Sequence, residues 1–98
     1  MITHVVLLGL TDADDCPEAL DRLRALPARI PELLTLRCGQ ALAGAASTGG
    51  GLNLVLITEH ANEAGLASYQ DHPVHQEFLE WIQPRLATRA AVDTDDLR

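Results

Sequence analysis

A strand whose two faces are both apolar is the strongest constraint in this sequence. Ile2 to Leu8 is apolar apart from Thr3 and His4, and it is β-branched, short and continuous. Such a run reads as a strand covered on both sides. Alternation sends Val5 and Leu7 one way and His4, Val6 and Leu8 the other. A single layer of helices covers only one of these faces, so the fold has to find a second cover.

The rest of the chain supplies the elements. Gly9 to Asp15 reads as a polar turn. Cys16 to Leu26 reads as a helix, with Asp15 as N-cap, Pro17 in the first turn, Glu18 near the positive end of the dipole, and Leu20, Leu23 and Leu26 at helical spacing. Pro27 and Pro31 bracket the loop that ends it. Leu33 to Leu42 is a second strand candidate, with Leu34, Leu36 and Cys38 alternating against Thr35 and Arg37. Ala43 to Gly51 is small and glycine-rich and reads as a connection; Leu52 to Glu59 is the clearest strand, so the two runs suggest an antiparallel pair. Asn62 caps a helix from Glu63 to about Asp71. Pro73 then interrupts, and His72 before it is disfavoured in α geometry. A new helix starts at Pro73 and runs toward Gln83, with Val74, Phe78 and Trp81/Ile82 as its apolar stripe. Thr88 to Asp93 closes the chain as a strand.

The order is β-α-β-β-α-α-β. That is an α+β, ferredoxin-like arrangement over one domain, residues 1–98, with a four-stranded antiparallel sheet and helices on one face. The other sheet face is apolar and demands burial by a partner. A second copy is the simplest, giving an isologous homodimer through the sheet faces.

Charge and cysteine usage narrow the setting. The net charge is −7, every basic residue is Arg, and no basic cluster occurs, which disfavours nucleic acid and anionic membranes as partners. Cys16 and Cys38 stand far apart with no secretion signal, so reduced thiols and a soluble, cytoplasmic protein are expected. No apolar run approaches membrane-spanning length. His72 and His75 are three apart but lack a third nearby ligand, Asp71 and Asp93 show no calcium-loop pattern, and Gly49-Gly50-Gly51 lacks the Lys and Ser/Thr of a phosphate loop. No metal and no cofactor are expected. Cys16 precedes Pro17 at a helix start, where a thiol pKa can fall, but no base partner is visible and it reads as structural.

Chemistry collects in Tyr69-Gln70-Asp71-His72-Pro73-Val74-His75, which places a phenol and two imidazoles within seven residues. Both side-chain types trade protons, histidine near neutral pH. With Ala67 and Ser68 before it, this segment resembles the stress-responsive α/β-barrel domain family, within the dimeric α/β-barrel superfamily. Further matches are His4-Val5-Val6-Leu7, Leu26-Pro27-Ala28-Arg29-Ile30-Pro31-Glu32-Leu33 and Ala91-Val92-Asp93. The resemblance implies a ferredoxin-like protomer that dimerises through its sheets into a barrel. The best-defined chemistry in the family is that of olivetolic acid cyclase, an intramolecular aldol closure of a linear polyketide. Its catalytic tyrosine and histidine match Tyr69 and His75, its first-strand pocket histidine matches His4, and its final-strand aspartate matches Asp93. The chain departs from the family at Gly9-Leu10, at Leu54, at His60 where an aromatic commonly ends the third strand, and at Thr94 after Asp93. A pocket of different shape and polarity is therefore expected, and the substrate does not carry over.

Each candidate residue has a chemical and a structural reading. The resemblance makes His75 a general base that removes a proton alpha to a carbonyl; a helix-start histidine bonded to a loop carbonyl is the plainer alternative. Tyr69 becomes an oxyanion donor, or a core aromatic with its hydroxyl at the surface, and the two are compatible. His4 shares a face with Val6 and Leu8 and points into the pocket if that face lines the barrel; otherwise it is a satisfied buried histidine. Asp93 accepts from an imidazole and sets its tautomer, or is a charged strand end. His72 reads as a turn or N-cap residue. The expected function is binding of an apolar, aromatic or polyketide-like molecule in a barrel cavity, with cofactor-free cyclase, lyase or isomerase chemistry by Tyr69 and His75 and with His4, Val6, Leu8 and Asp93 contacting substrate. The alternatives are a non-catalytic, stress-associated ligand-binding protein and a cofactor-independent monooxygenase.

Overall fold

A computed structural model describes residues 1–42 and 50–98. Its elements are β1 (Ile2–Leu10), α1 (Cys16–Arg24), β2 (Thr35–Gln40), β3 (Leu54–His60), α2 (Glu63–Asp71), α3 (Pro73–Ile82) and β4 (Leu86–Thr94). Single 3₁₀ turns at Ala13–Asp15, Leu26–Ala28 and Gln83–Arg85 join or extend the helices. The four strands form one sheet in the order β2-β3-β1-β4, and β1/β3, β1/β4 and β2/β3 all pair antiparallel. This is the expected ferredoxin-like α+β order.

The central position of β1 explains its composition. Register sets His4 opposite Thr58 and Asp93, Val6 opposite Leu56 and Ala91, and Leu8 opposite Leu54 and Arg89. The face carrying Ile2, His4, Val6, Leu8 and Leu10 is buried, together with Leu54, Leu56, Thr58 and His60 of β3. Leu20 and Leu23 of α1, Leu66 and Tyr69 of α2, and Phe78 and Ile82 of α3 complete that core. The opposite face carries Val5, Leu7, Val55, Ile57 and Val92 and is left partly open, with Val55 at 37% and Val92 at 66% exposure. Burying one such side chain is worth about 1.5–3 kcal/mol, so this second face has much to gain from a cover.

Capping accounts for the helix ends. The Asn62 side chain accepts from the Gly65 backbone N–H at 2.8 Å and starts α2. His72 is extended, with φ −63° and ψ 137°, and its Nδ1 accepts from the Val74 N–H at 3.1 Å, so it ends α2 and caps α3. Two guanidinium groups lie over the Trp81 ring of α3, Arg22 of α1 at 4.5 Å and Arg85 at 4.4 Å. Arg22 is also held by Glu18 on its own helix at 2.9 Å.

Several boundaries differ from the sequence reading. Asp15 makes no side-chain cap for α1; Asp12 instead accepts from the Asp14 N–H at 2.9 Å, because a 3₁₀ turn precedes the helix. α1 ends at Arg24, and Leu26 falls in the following 3₁₀ turn. β2 and β3 are shorter than expected at their starts, and β4 is longer, from Leu86 to Thr94. Of the Ala43–Gly51 connection, residues 43–49 lie outside the described residues, while Gly50 and Gly51 have φ of 58° and 87°, which favours glycine.

Gly9 and Leu10 belong to β1 and not to a turn. The Asn53 side chain prolongs the sheet beside them: its Oδ1 accepts from the Leu10 N–H at 2.9 Å and its Nδ2 donates to the Leu10 carbonyl at 3.1 Å. The β1/β4 register shifts between Gly9 and Leu10. A Cβ on Gly9 would stand 2.5 Å from the Thr88 methyl and 2.6 Å from the Gly51 carbonyl oxygen. Gly9→Ala is therefore expected to destabilise the fold by about 1–3 kcal/mol, the usual cost of overpacking. Urea denaturation measures this, and Thr88→Ser should recover only part of the loss, since the Gly51 carbonyl stays in place.

Candidate functional site

The corner between α2 and α3 builds the site. Pro73 removes a backbone donor and forces His72 out of helical geometry, so α2 stops and α3 restarts in a new direction. Tyr69, in the last turn of α2, and His75, in the first turn of α3, are thereby brought to a ring separation of 4.5 Å. Tyr69 in turn lies 4.9 Å from the ring of His60, which lies 6.5 Å from that of His4. Four rings from β1, β3, α2 and α3 thus stand as successive neighbours.

His4, Tyr69 and His75 border a cavity of about 330 Å³ between the sheet and the two helices, near the lower end of ligand-pocket sizes. Its walls come from His4, Val6, Leu8 and Leu56 on the sheet, Tyr69, Gln70 and Asp71 on α2, His75, Gln76, Phe78 and Leu79 on α3, and Arg89 on β4. A wider depression of about 420 Å³ lies beside Ile2, Leu66, Glu63, Thr94, Asp93 and Asp95 and includes neither Tyr69 nor His75. The chemistry is therefore concentrated in the smaller space.

The hydrogen bonds define which ring nitrogens are free. A carbonyl can only accept, so His75 Nδ1–H donates to the Gln70 carbonyl at 2.9 Å. That leaves Nε2 with its lone pair. Burial lowers the His75 pKa, with the charges of His4, Arg89 and His72 adding to it and the bond to Gln70 opposing it. The ring is therefore a neutral imidazole near pH 7. Burial pushes the Tyr69 phenol up to about 12, so it stays protonated and acts as a donor. His4 Nδ1–H donates to the Asp93 carboxylate, which orients the ring and leaves Nε2 as the nitrogen not tied to Asp93.

His60 is fully buried and satisfied on both sides. Its Nδ1–H donates to the Glu32 carbonyl at 3.3 Å, and Nε2 accepts from the Thr58 hydroxyl at 2.8 Å. Burial lowers its pKa, reinforced by His4 and opposed by the Glu32 bond and Asp93. It packs the Tyr69 ring from behind.

The structure gathers His4, Val6, Leu8, Tyr69 and His75 around one space. Asp93 is not on the wall and reaches it only through His4. The cavity is not formed by the open sheet face, as a barrel lumen would suggest; it lies within one chain, because the face bearing His4 is the one the helices cover. His72 is spent on the helix corner. Sequence reading passed over His60 and Arg89 as site residues. Period-two alternation could have found both: His60 follows Leu54, Leu56 and Thr58 on one face, and Arg89 shares a face with Ala91 and Asp93.

Other reactive groups lie apart. The Cys16 thiol is pushed up by burial and then by Asp15 and Asp12, the opposite of an activated nucleophile. Among the described residues, no group of three or more His, Cys, Asp or Glu is arranged to hold a metal ion.

These imidazoles make stability depend on pH. Both His60 and His75 have folded pKa values below the ordinary value of 6.5. Above that value both states are neutral and the full stability is present. As pH falls from there through the folded values, the unfolded chain takes up protons first and stability is lost. The melting temperature should therefore decline from pH 7 to pH 5, with a shallower decline in His75→Gln.

Comparison with known proteins fits this architecture. The sequence model of the Stress responsive A/B Barrel Domain family matches residues 2–96. No curated protein matches the chain. Among solved structures, a dimeric ferredoxin-like protein of unknown function from Thermobifida fusca is 35% identical, with a TM-score of 0.80 over 95% of this chain and 88% of that one. Hydroxynitrile lyase from Passiflora edulis is 13% identical, with a TM-score of 0.81 over 99% of this chain and 96% of that one. A putative antibiotic biosynthesis monooxygenase from Nitrosomonas europaea is 15% identical, with a TM-score of 0.74 over 100% of each chain. The last two share the fold. With the family model spanning nearly its whole length, the chain belongs to the stress-responsive A/B barrel domain family.

Proposed function

We propose that this chain forms a homodimer whose protomers each bind an apolar, aromatic or polyketide-like molecule and carry out cofactor-free acid–base chemistry on it. One observation carries this reading: His75 Nδ1 is tied to the Gln70 carbonyl, leaving a neutral Nε2 on the wall of the cavity that the protonated Tyr69 phenol also lines. Nε2 takes a proton from the carbon alpha to a ligand carbonyl, and the resulting enolate oxygen accepts a hydrogen bond from Tyr69. The enolate carbon then attacks a second carbonyl of the same molecule, or is reprotonated elsewhere, and the imidazolium returns its proton. The His4–Asp93 pair supplies a second oriented imidazole on the opposite wall. His60 supports the phenol. The free thiols of Cys16 and Cys38 accord with a cytoplasmic setting.

Conversion of poly-β-ketones tests the chemistry. His75→Ala should lower turnover by about 100-fold or more, and Tyr69→Phe by about 100-fold, with ligand affinity kept within a few-fold. The bond from His75 to Gln70 also serves as helix-end packing, which favours a second reading, a non-catalytic ligand-binding protein. Binding without conversion across the panel would select that one. Oxygen uptake with a quinol-type substrate would instead point to a monooxygenase, an activity named in a structural neighbour of the same fold.

The homodimer rests on the open apolar sheet face and on the dimeric relative from Thermobifida fusca. Light scattering at micromolar concentration should give twice the 10.6 kDa chain mass. Ile57→Arg, placed on the open face, should give the monomer mass, and a wild-type monomer would refute the pairing.

A further inference from the structure

Among the residues that line the Tyr69–His75 cavity, Arg89 is the only Arg. The chain is acidic, with 14 Asp and Glu against 7 Arg. Arg22, Arg29, Arg85 and Arg98 each have a carboxylate partner. Arg24, Arg37 and Arg89 have none within ion-pair distance among the described residues, and of these three only Arg89 borders the cavity. It sits opposite Leu8 in the β1/β4 register, on the helix-facing side of the sheet. Its side chain lines the Tyr69–His75 cavity and also a smaller adjoining hollow of about 180 Å³ beside Leu79, Ile82 and Leu86. Arg89 and Leu79 are the residues the two spaces share, so Arg89, an exposed residue, stands at their junction.

We propose that Arg89 is the anion-recognising residue of this cavity, and that its ligand is an amphipathic carboxylate with an apolar or aromatic body. This rests on the reading of the cavity as a ligand site and narrows it to a chemical class. A guanidinium binds a carboxylate through paired, directional hydrogen bonds. Bound there, the carboxylate leaves the ligand body against Val6, Leu8, Leu56 and Phe78, which form the apolar wall. Asp71 also lines the cavity and carries the opposite charge at the end of α2. It disfavours the reversed placement of an anion and so gives the ligand one orientation. Arg89 and His75 line the same cavity of about 330 Å³, so one small molecule can reach both.

Isothermal titration calorimetry of the full chain with 2-naphthoate and the uncharged, isosteric 2-naphthamide tests this. The wild type should bind naphthoate roughly tenfold more tightly, the range for one charge-assisted hydrogen-bonded contact, and the preference should shrink with added salt. Arg89→Gln should erase the preference, bringing the two affinities together, while Arg89→Lys keeps part of it. Leu79→Trp, on the partly exposed side of α3 and filling the junction, should weaken both ligands. Equal affinities in the wild type, or a preference that survives Arg89→Gln, overturn the carboxylate assignment while leaving the cavity reading intact. If neither probe binds, or if Leu79→Trp changes neither affinity, the cavity is not the ligand site and the assignment falls with it.

Discussion

The pairing of β1 on both of its edges is the constraint from which the other features follow. Hydrogen-bonded to β3 on one side and β4 on the other, β1 has no free edge, and its side chains alternate between two faces. Helices cover one face. Into that covered face the strand inserts a polar residue, His4, at a depth where a histidine needs a partner. Asp93 is that partner because the β1/β4 register puts it directly opposite. An imidazole–carboxylate pair is therefore a consequence of strand order, and the cavity wall inherits it.

The second dependency is the corner at His72–Pro73. A continuous helix would separate residues 69 and 75 around its circumference. The break redirects the chain so that both rings stand against the sheet, and the carbonyl of Gln70, near the end of α2, becomes the acceptor for His75. The same interruption thus positions the proposed base and sets its tautomer. His60 fixes the phenol from the other side and uses both of its nitrogens on the protein, which makes it support and leaves it no free lone pair.

Much of this was legible in the sequence. The β-α-β-β-α-α-β order, the Asn62 cap, the double role of His72 and the helix starting at Pro73 follow from local chemistry: which side chain can accept from which backbone N–H, and which residue cannot donate. Where local chemistry was misleading, a tertiary contact had intervened. Gly9 looked like the start of a turn, but Asn53 extends the sheet past it and the close approach of Thr88 and Gly51 excludes a side chain there. Asp15 looked like a cap, but a preceding 3₁₀ turn moves that role to Asp12. Cys16 had a helix N-terminus in its favour, and burial beside acidic neighbours raises its pKa instead.

By itself the sequence determined the elements, their order, the two apolar faces of β1 and the presence of a phenol and imidazoles near one helix break. These depend on neighbours a few residues apart, whose spacing sets periodicity and capping. Only the tertiary structure decided which face of β1 the helices take, that the cavity lies inside one chain, that Arg89 joins it and that His60 backs Tyr69. Those outcomes depend on strand register and helix packing between residues dozens of positions apart, where a shift of one residue turns a side chain from the cavity to the opposite face.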